Sequence, residues 1–236
     1  MYKNKKILGI IPARKGSKSV KNKNFLKLGG KELVRYAIDS GNKSKFLDRL
    51  IISTDDVSKF KPFKKNCDIP FKRPKKYSGD KATTVSVVMH ALNYLKARKE
   101  YYDYVVVLQP TNPFRKSSDI DNCIKTIIDN KKMCLIGVVK VKANHPSRMY
   151  KIDKKNIMKP LTSKDDGETR RRQDLDKIYI RNGSIYITKI SQLLKEKQII
   201  TKKPIAYIMN EIKSINIDTY DDYIFAKLKL KDWLRE

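Results

Sequence analysis

Residues 7–24 read I-L-G-I-I-P-A-R-K-G-S-K-S-V-K-N-K-N: an apolar run, a proline, then Arg14, Lys15, Lys18, Lys21 and Lys23 around a single glycine, Gly16. A short apolar run closed by proline predicts a buried strand that has to stop there, since proline has no N–H for a further ladder bond. A strand that passes at once into a cationic turn suits an open parallel sheet, in which ligands gather beyond the carboxyl ends of the strands.

Working outward, runs rich in β-branched residues recur at 50–53, 69–71, 104–108 and 135–141, and amphipathic stretches between them predict helices at 33–44, 84–98 and 120–129. In the second of these, Val85, Val88, Met89, Leu92 and Leu95 fall at helical spacing, and a weaker helix at 56–65 is split by Pro62. Strands alternating with helices predict an α/β fold with a doubly wound, mostly parallel, Rossmann-like sheet. The alternation lapses over 143–181, where 149–152 and 156–158 flank Asp153-Lys154-Lys155 as a projecting hairpin. It resumes with strands at 184–187, 205–209 and 215–217, a helix near 192–197 and a closing helix over 221–233. The expectation is one α/β domain made of 1–142 and 182–236, interrupted by a small inserted element at 143–181.

The 236 residues, 40% hydrophobic, suffice for one sizeable core. Lys plus Arg number 54 against 25 Asp plus Glu, a formal charge of +29, so any local cationic cluster has to be weighed against a solvated lysine-rich surface. Such a charge attracts polyanions at low salt, and a basic nucleic-acid-binding module is the non-enzymatic alternative. It accounts for neither the proline-stiffened loops nor their order, so no specific nucleic-acid partner is expected. No run approaches the roughly 18 apolar residues of a membrane span, which predicts a cytoplasmic protein without membrane contact. Three scattered cysteines, Cys67, Cys123 and Cys134, and two histidines, His90 and His145, support neither a disulfide framework nor a zinc site.

The loops after the predicted strands carry the chemistry. After the first comes the cationic turn, after the second Ser53-Thr54-Asp55-Asp56, after the third Arg73-Pro74, and after the fourth Gln109-Pro110-Thr111-Asn112-Pro113. The first loop has neither the Walker A spacing nor G-x-G-x-x-G, which argues against a P-loop or an NAD site. Gly16 lets backbone approach an anion, and Arg14, Lys18 and Lys23 can neutralise adjacent phosphates, as a triphosphate with a pyrophosphate leaving group requires. In S-I-N-I-D-T, residues 214–219, alternation puts Asn216 and Asp218 on one face of a strand. That spacing suits a magnesium ion, or equally an aspartate that caps the next helix. Asp221 and Asp222 read as surface carboxylates compensating that helix's dipole. Arg170-Arg171-Arg172 fits either a carboxylate-bearing substrate or a hairpin base salt-bridged to Asp165, Asp166, Asp174 and Asp176.

Taken in order, I-I-P-A-R-K-G-S-K (10–18), K-N (23–24), R-P (73–74), L-Q-P-T-N-P-F-R (108–115), R-R-Q-D-L (171–175), N-G-S-I-Y-I (182–187) and S-I-N-I-D-T (214–219) resemble the acylneuraminate cytidylyltransferase family. The resemblance implies a nucleotide-diphospho-sugar transferase-like fold. It also implies an enzyme that joins a nine-carbon 2-keto sugar acid to CTP with Mg2+, releasing CMP-sugar and pyrophosphate. By the family pattern Arg14 and Lys23, assisted by Lys18, hold the triphosphate. Ala13, Gly16, Ser17, Asn24, Arg73 and Thr84 surround the nucleotide, Gln109, Arg172, Asn182 and Tyr186 contact the sugar, and Asp218 with Asn216 binds the metal. The family dimerises through its inserted hairpin, so 143–181 is the expected homodimer contact. Two positions depart from the pattern. Asn216 stands where the family commonly has aspartate, and Ile199-Ile200 stands where some sialic acid enzymes present aromatics to the acyl group. CMP-legionaminate, CMP-pseudaminate and CMP-Kdo synthesis are therefore the alternatives.

Overall fold

The structure, a computed structural model, describes residues 1–16, 20–162 and 171–235, and of Arg172 the backbone alone. In chain order the strands are β1 (Ile7–Pro12), β2 (Lys27–Leu28), β3 (Lys31–Glu32), β4 (Arg49–Ser53), β5 (Tyr104–Val107), β6 (Cys134–Lys140), β7 (Tyr150–Ile152), β8 (Met158–Pro160), β9 (Tyr179–Lys189) and β10 (Ile205–Ile208). The helices are α1 (Leu33–Asn42), α2 (Val57–Phe60), α3 (Thr84–Lys96), α4 (Ser117–Asp129), α5 (Ile190–Glu196) and α6 (Tyr220–Arg235). Six strands form the main sheet in the order β10-β6-β9-β5-β1-β4. β1 runs parallel to β4 and β5, and β10 to β6, while β9 lies antiparallel to both β5 and β6.

Side-chain alternation along the buried strands gives the sheet two apolar faces. Ile7 and Ile11 of β1 pack with Val34, Ala37 and Ile38 of α1 and Ile120, Ile124 and Ile127 of α4. Leu8 and Ile10 face the other way, onto Val88, Ala91, Leu92 and Leu95 of α3 and Leu193 of α5. The mostly parallel doubly wound sheet anticipated from the sequence is present. A third cluster tucks α6 beneath Leu28, Leu33, Phe114, Ile215 and Ile217, with Trp233 stacked on Phe114 at 5.3 Å between centroids.

Two expected strands are not strands. Around 69–71 only the single bridges Ile51 to Asp68 and Thr54 to Lys72 form, because Pro70 interrupts the donors that a ladder needs. Residues 215–217 are held without a partner strand: Ile217 N–H donates to Thr111 O (2.8 Å) and the Asn112 amide donates to Ile215 O (3.2 Å). β7 and β8 pair antiparallel as a hairpin apart from the main sheet, exposing Tyr150, Ile152, Ile157 and Met158. Ile199 and Ile200 pack onto the chain's own clusters, Ile200 beside Cys134, Ile136 and Val138. All three cysteines are buried and free, and burial pushes the Cys67 thiol up to about 12. Among the described residues no helix is long and apolar enough to cross a membrane.

Candidate functional site

β1, β4 and β5 run in register, with Pro12 opposite Ser53 and Ile10 opposite Val107, so the loops that follow them emerge on one edge of the sheet. Between those loops lies a cavity of about 280 Å³ lined by Arg14, Gly16, Lys23, Asn24, Arg73, Thr84 and Gln109. The first loop is shaped by its own short-range bonds. Ala13 N–H donates to Ser53 O (3.0 Å), which keeps the chain beside β4 one residue past the strand. Lys15 N–H then donates to Asp55 Oδ1 (2.7 Å), and the Asn24 amide closes the loop by donating to Arg14 O (2.8 Å). Asn22, at φ 55°, turns the chain into a short 3-10 turn, Lys23–Phe25, that buries most of Lys23. Asparagine tolerates that left-handed conformation better than most side chains.

Arg73 arrives from the third loop, its N–H donating to Thr54 O (2.6 Å). It is 3% exposed, and its Nε has no acceptor among the described residues. Burial lowers its pKa, Asp55 pulls it back, and Arg14 pushes it down again. A desolvated guanidinium that no described carboxylate hydrogen-bonds favours an acceptor-rich ligand in the cavity.

A second cavity, about 350 Å³, adjoins the first at Gln109 and is lined by Arg181, Asn182, Gly183, Tyr186, Ser214 and Asn216. It exists because β9 is longer than β5: pairing stops at Val107 with Tyr186, leaving the earlier part of β9 uncovered on that side. Gly183, at φ +75°, faces the Asn112 Oδ1, which a Cβ would meet at 3.1 Å, so a side chain there is disfavoured twice. Asn112 is fully buried and its amide donates to Asn182 O (2.7 Å) as well as to Ile215 O, tying its own loop and the one at Ile215 to β9. Arg115, also buried, donates to Ser184 O (2.7 Å) and Gln109 O (2.8 Å). Burial pulls its pKa down to about 9, leaving it charged at neutral pH. Burial raises the Tyr186 hydroxyl's pKa, and Arg181 partly offsets this.

The two cavities are joined by a polar chain. Lys23 Nζ donates to Asp218 Oδ1 and to Asp218 O, both at 3.1 Å, and the Asn216 amide donates to the other Asp218 oxygen. Asn216 Oδ1 is buried and has no partner among the described residues. Asp222 does more than the dipole compensation expected of it: its Oδ2 accepts from Asp218 N–H (2.9 Å) and Thr219 N–H (2.7 Å), while Thr219 Oγ1 accepts from Asp222 N–H in return. This capping box at the start of α6 fixes the loop carrying Asp218. Burial alone would raise the Asp222 carboxyl; the N–H donations outweigh it and hold the group below its ordinary value.

Of the sequence-predicted residues, Arg14, Gly16, Lys23, Asn24, Arg73 and Thr84 line the first cavity, Asn182, Tyr186 and Asn216 the second, and Gln109 both. Asp218 meets Lys23 and Asn216 beside them. Ala13 is buried behind the lining. The amide of Asn182 is engaged within the protein, donating to Ser214 Oγ (2.9 Å) and accepting from Ser184 N–H (3.0 Å). Ser17, Lys18, Asp165, Asp166, Arg170 and the Arg172 side chain lie outside the described residues. Sequence reasoning missed the wall of Tyr77, Ser78, Gly79 and Asp80, where Asp80 accepts from Arg14 (3.0 Å), and it missed Arg181. The S-G-D turn chemistry at 78–80 was the available signal.

His90 on α3 lies edge-on to Phe71 at 4.7 Å. Burial lowers its pKa from the ordinary 6.5, and Arg73 and Lys76 lower it further. A depressed folded value means that the unfolded chain binds the proton more readily. The stability this contributes is complete above 6.5 and is lost as pH falls through the folded value. Melting temperatures measured from pH 7.5 to 5 are expected to fall less steeply for His90→Gln than for the natural chain; equal slopes would refute the assignment.

The comparisons with known proteins agree with this architecture. A family model described as cytidylyltransferase matches residues 8–227. N-acylneuraminate cytidylyltransferase of Escherichia coli O18:K1:H7 is 32% identical over 234 residues, covering 94% of this chain and 51% of the relative, so the chain spans about half of that protein's length. Pseudaminic acid cytidylyltransferase of Campylobacter jejuni serotype O:2 is 28% identical over 235 residues, covering 96% of this chain and 97% of the relative. The solved structure of a CMP:2-keto-3-deoxy-manno-octonic acid synthetase complexed with CTP superposes with a TM-score of 0.70 over 96% of this chain and 99% of its own, at 13% identity.

Proposed function

The chain belongs to the cytidylyltransferase family, and from that premise we propose that it transfers the cytidylyl group of CTP to a nine-carbon 2-keto sugar acid, releasing pyrophosphate. The observation that carries this reading is the pair of cavities meeting at Gln109, one cationic and one polar, with Lys23, Asp218 and Asn216 between them. CTP would occupy the first cavity, with its triphosphate against Arg14 and Lys23 and its nucleoside toward Arg73 and Thr84. The sugar acid would enter the second, beside Gln109, Tyr186 and Arg181, with its anomeric hydroxyl directed at the α-phosphorus. Lys23 and Arg14 then stabilise charge on the departing pyrophosphate. Relatives named for N-acylneuraminate and for pseudaminic acid support a sugar acid of this class without choosing between them.

Magnesium fits the residues present. The unpartnered Asn216 Oδ1 and the Asp218 carboxylate supply two oxygen ligands, and Mg2+ is commonly held by one or two carboxylates plus substrate phosphates. When bound, the ion would neutralise phosphate charge and lower the pKa of the attacking hydroxyl. Asn216→Asp adds a charge at that ligand position and is expected to tighten metal binding several-fold, read by Mn2+ titration under electron paramagnetic resonance without nucleotide. Weaker or unchanged binding would remove Asn216 from the metal site.

The hairpin's exposed Tyr150, Ile152, Ile157 and Met158 support the element at 143–181 as a homodimer contact, and a reaction that consumes CTP fits the cytoplasm. The deciding experiment incubates the protein with CTP, Mg2+ and, separately, N-acetylneuraminate, legionaminate, pseudaminate and Kdo. Pyrophosphate release dependent on one of these acids is expected; release with none of them would end the proposal.

A further inference from the structure

A third cavity, about 310 Å³, shares no lining residue with the two described above. Its floor is the start of α4, with Lys116 at the N-cap position followed by Ser117 and Ser118. Tyr36, Pro113 and Trp233 supply apolar walls, and Lys43 lies on the rim. The capping box of α4 occupies only the Lys116 N–H, which donates to Asp119 Oδ2 (2.8 Å). Among the described residues the N–H groups of Ser117 and Ser118 have no acceptor, and the thirteen-residue helix points its positive end at the space.

Arg115 provides independent grounds for a ligand. It lines this cavity at 1% exposure, and among the described residues no carboxylate hydrogen-bonds to it, Asp119 acting on it only through space. Two of its nitrogens donate to the Ser184 and Gln109 carbonyls, and among the described residues its Nε–H has no acceptor. Nor, among those residues, has the buried Trp233 Nε1–H on the same cavity. The neighbouring carboxylates are already matched: Asp119 by Lys213 at 2.9 Å, and Asp39 by Lys31 at 2.8 Å and Arg35 at 3.3 Å. A buried guanidinium with an unused N–H, a helix N-terminus and orphan donors on one cavity together call for an acceptor-rich ligand.

We propose that this cavity is a second ligand site, binding a small phosphate-bearing molecule. Its phosphate lies at the N-terminus of α4 between Lys43 and Lys116, and its apolar body lies against Tyr36, Pro113 and Trp233. Phosphate suits the site better than carboxylate because the available donors, two N–H groups, two hydroxyls and two ammonium groups, exceed what two oxygens can accept. The site is separate from the nucleotide cavity, so it stands or falls independently of the catalytic reading.

The test uses the full chain carrying Arg14→Ala and Lys23→Ala, which silences phosphate binding in the nucleotide cavity. Inorganic phosphate and phenyl phosphate are titrated by equilibrium dialysis at constant ionic strength. Emission of Trp233, the chain's one tryptophan, is followed in parallel. One saturable site per chain is expected, tighter for phenyl phosphate than for inorganic phosphate because the ring covers the apolar walls. Lys116→Glu added to that background is expected to weaken binding roughly tenfold or more, and Lys43→Ala to weaken it by less. Lys43 is exposed and Lys116 half-buried, so a melting curve for each variant separates lost binding from a lost fold. Absence of saturable binding, or binding that both added variants leave unchanged, overturns the proposal.

Discussion

Lys23→Met is expected to lower kcat for cytidylyl transfer by roughly 10²–10³, the loss typical of removing one preorganised donor from developing transition-state charge. Lys23 is suited to that role because the 3-10 turn at Lys23–Phe25 buries its stem while its ammonium emerges between the two cavities. An ammonium held among protein groups interacts with a phosphate more strongly than one free in water. Methionine keeps the stem's packing and removes only the charge. Its contact with Asp218 is to a carboxylate that is mostly exposed, and such surface pairs contribute at most about 1 kcal/mol. The melting temperature should therefore hardly move while turnover collapses. A variant that keeps turnover within threefold of the natural chain would remove Lys23 from the reaction, and one that merely unfolds would show it in the melting curve.

Asn112→Ala is expected to have the opposite signature, a fold weakened by about 2–4 kcal/mol. Its amide is the common donor to Asn182 O and Ile215 O, and the residue is fully buried, so truncation leaves two carbonyls short of a partner and a small void. For a chain of this size such a loss lowers the melting temperature by roughly 5–15 °C. Asn112→Asp has the same shape but at neutral pH sets a carboxylate against the two carbonyl oxygens, and it should be at least as destabilising. Urea midpoints for both variants test this; a loss under about 1 kcal/mol for Asn112→Ala would mean that the two loops and β9 are held together by something else.

The sequence made the strand-loop alternation readable because buried parallel strands are nearly continuous apolar runs, and Arg14 and Gln109 come two residues after such strands end. It was less informative where pairing depends on distant partners. Nothing local says that Tyr179–Lys189 inserts antiparallel between β5 and β6, or that the apolar pair Ile215 and Ile217 is fastened by Thr111 and Asn112 rather than by a strand. Pro70 carried the local warning against a strand at 69–71. Arg115 sat inside the L-Q-P-T-N-P-F-R motif, yet its burial, and hence its unused Nε–H, is a property of packing alone. The Asp222 bonds to the Asp218 loop were likewise hidden behind the simpler reading of an acidic first turn.

The position of β9 has a consequence for how the molecule is made. β5 and β6 are synthesised well before it, yet they touch the sheet's two halves together only through it. Until residue 179 and its successors have left the ribosome, the nascent chain carries the partial sheet β5-β1-β4 with an open edge at β5, and a lone β6 whose partners β9 and β10 both come later; unpaired amides and carbonyls of this kind recruit stray strands. Closure of the sheet and completion of the second cavity are then the same event, so a chain that has not finished folding has no place to receive the acceptor.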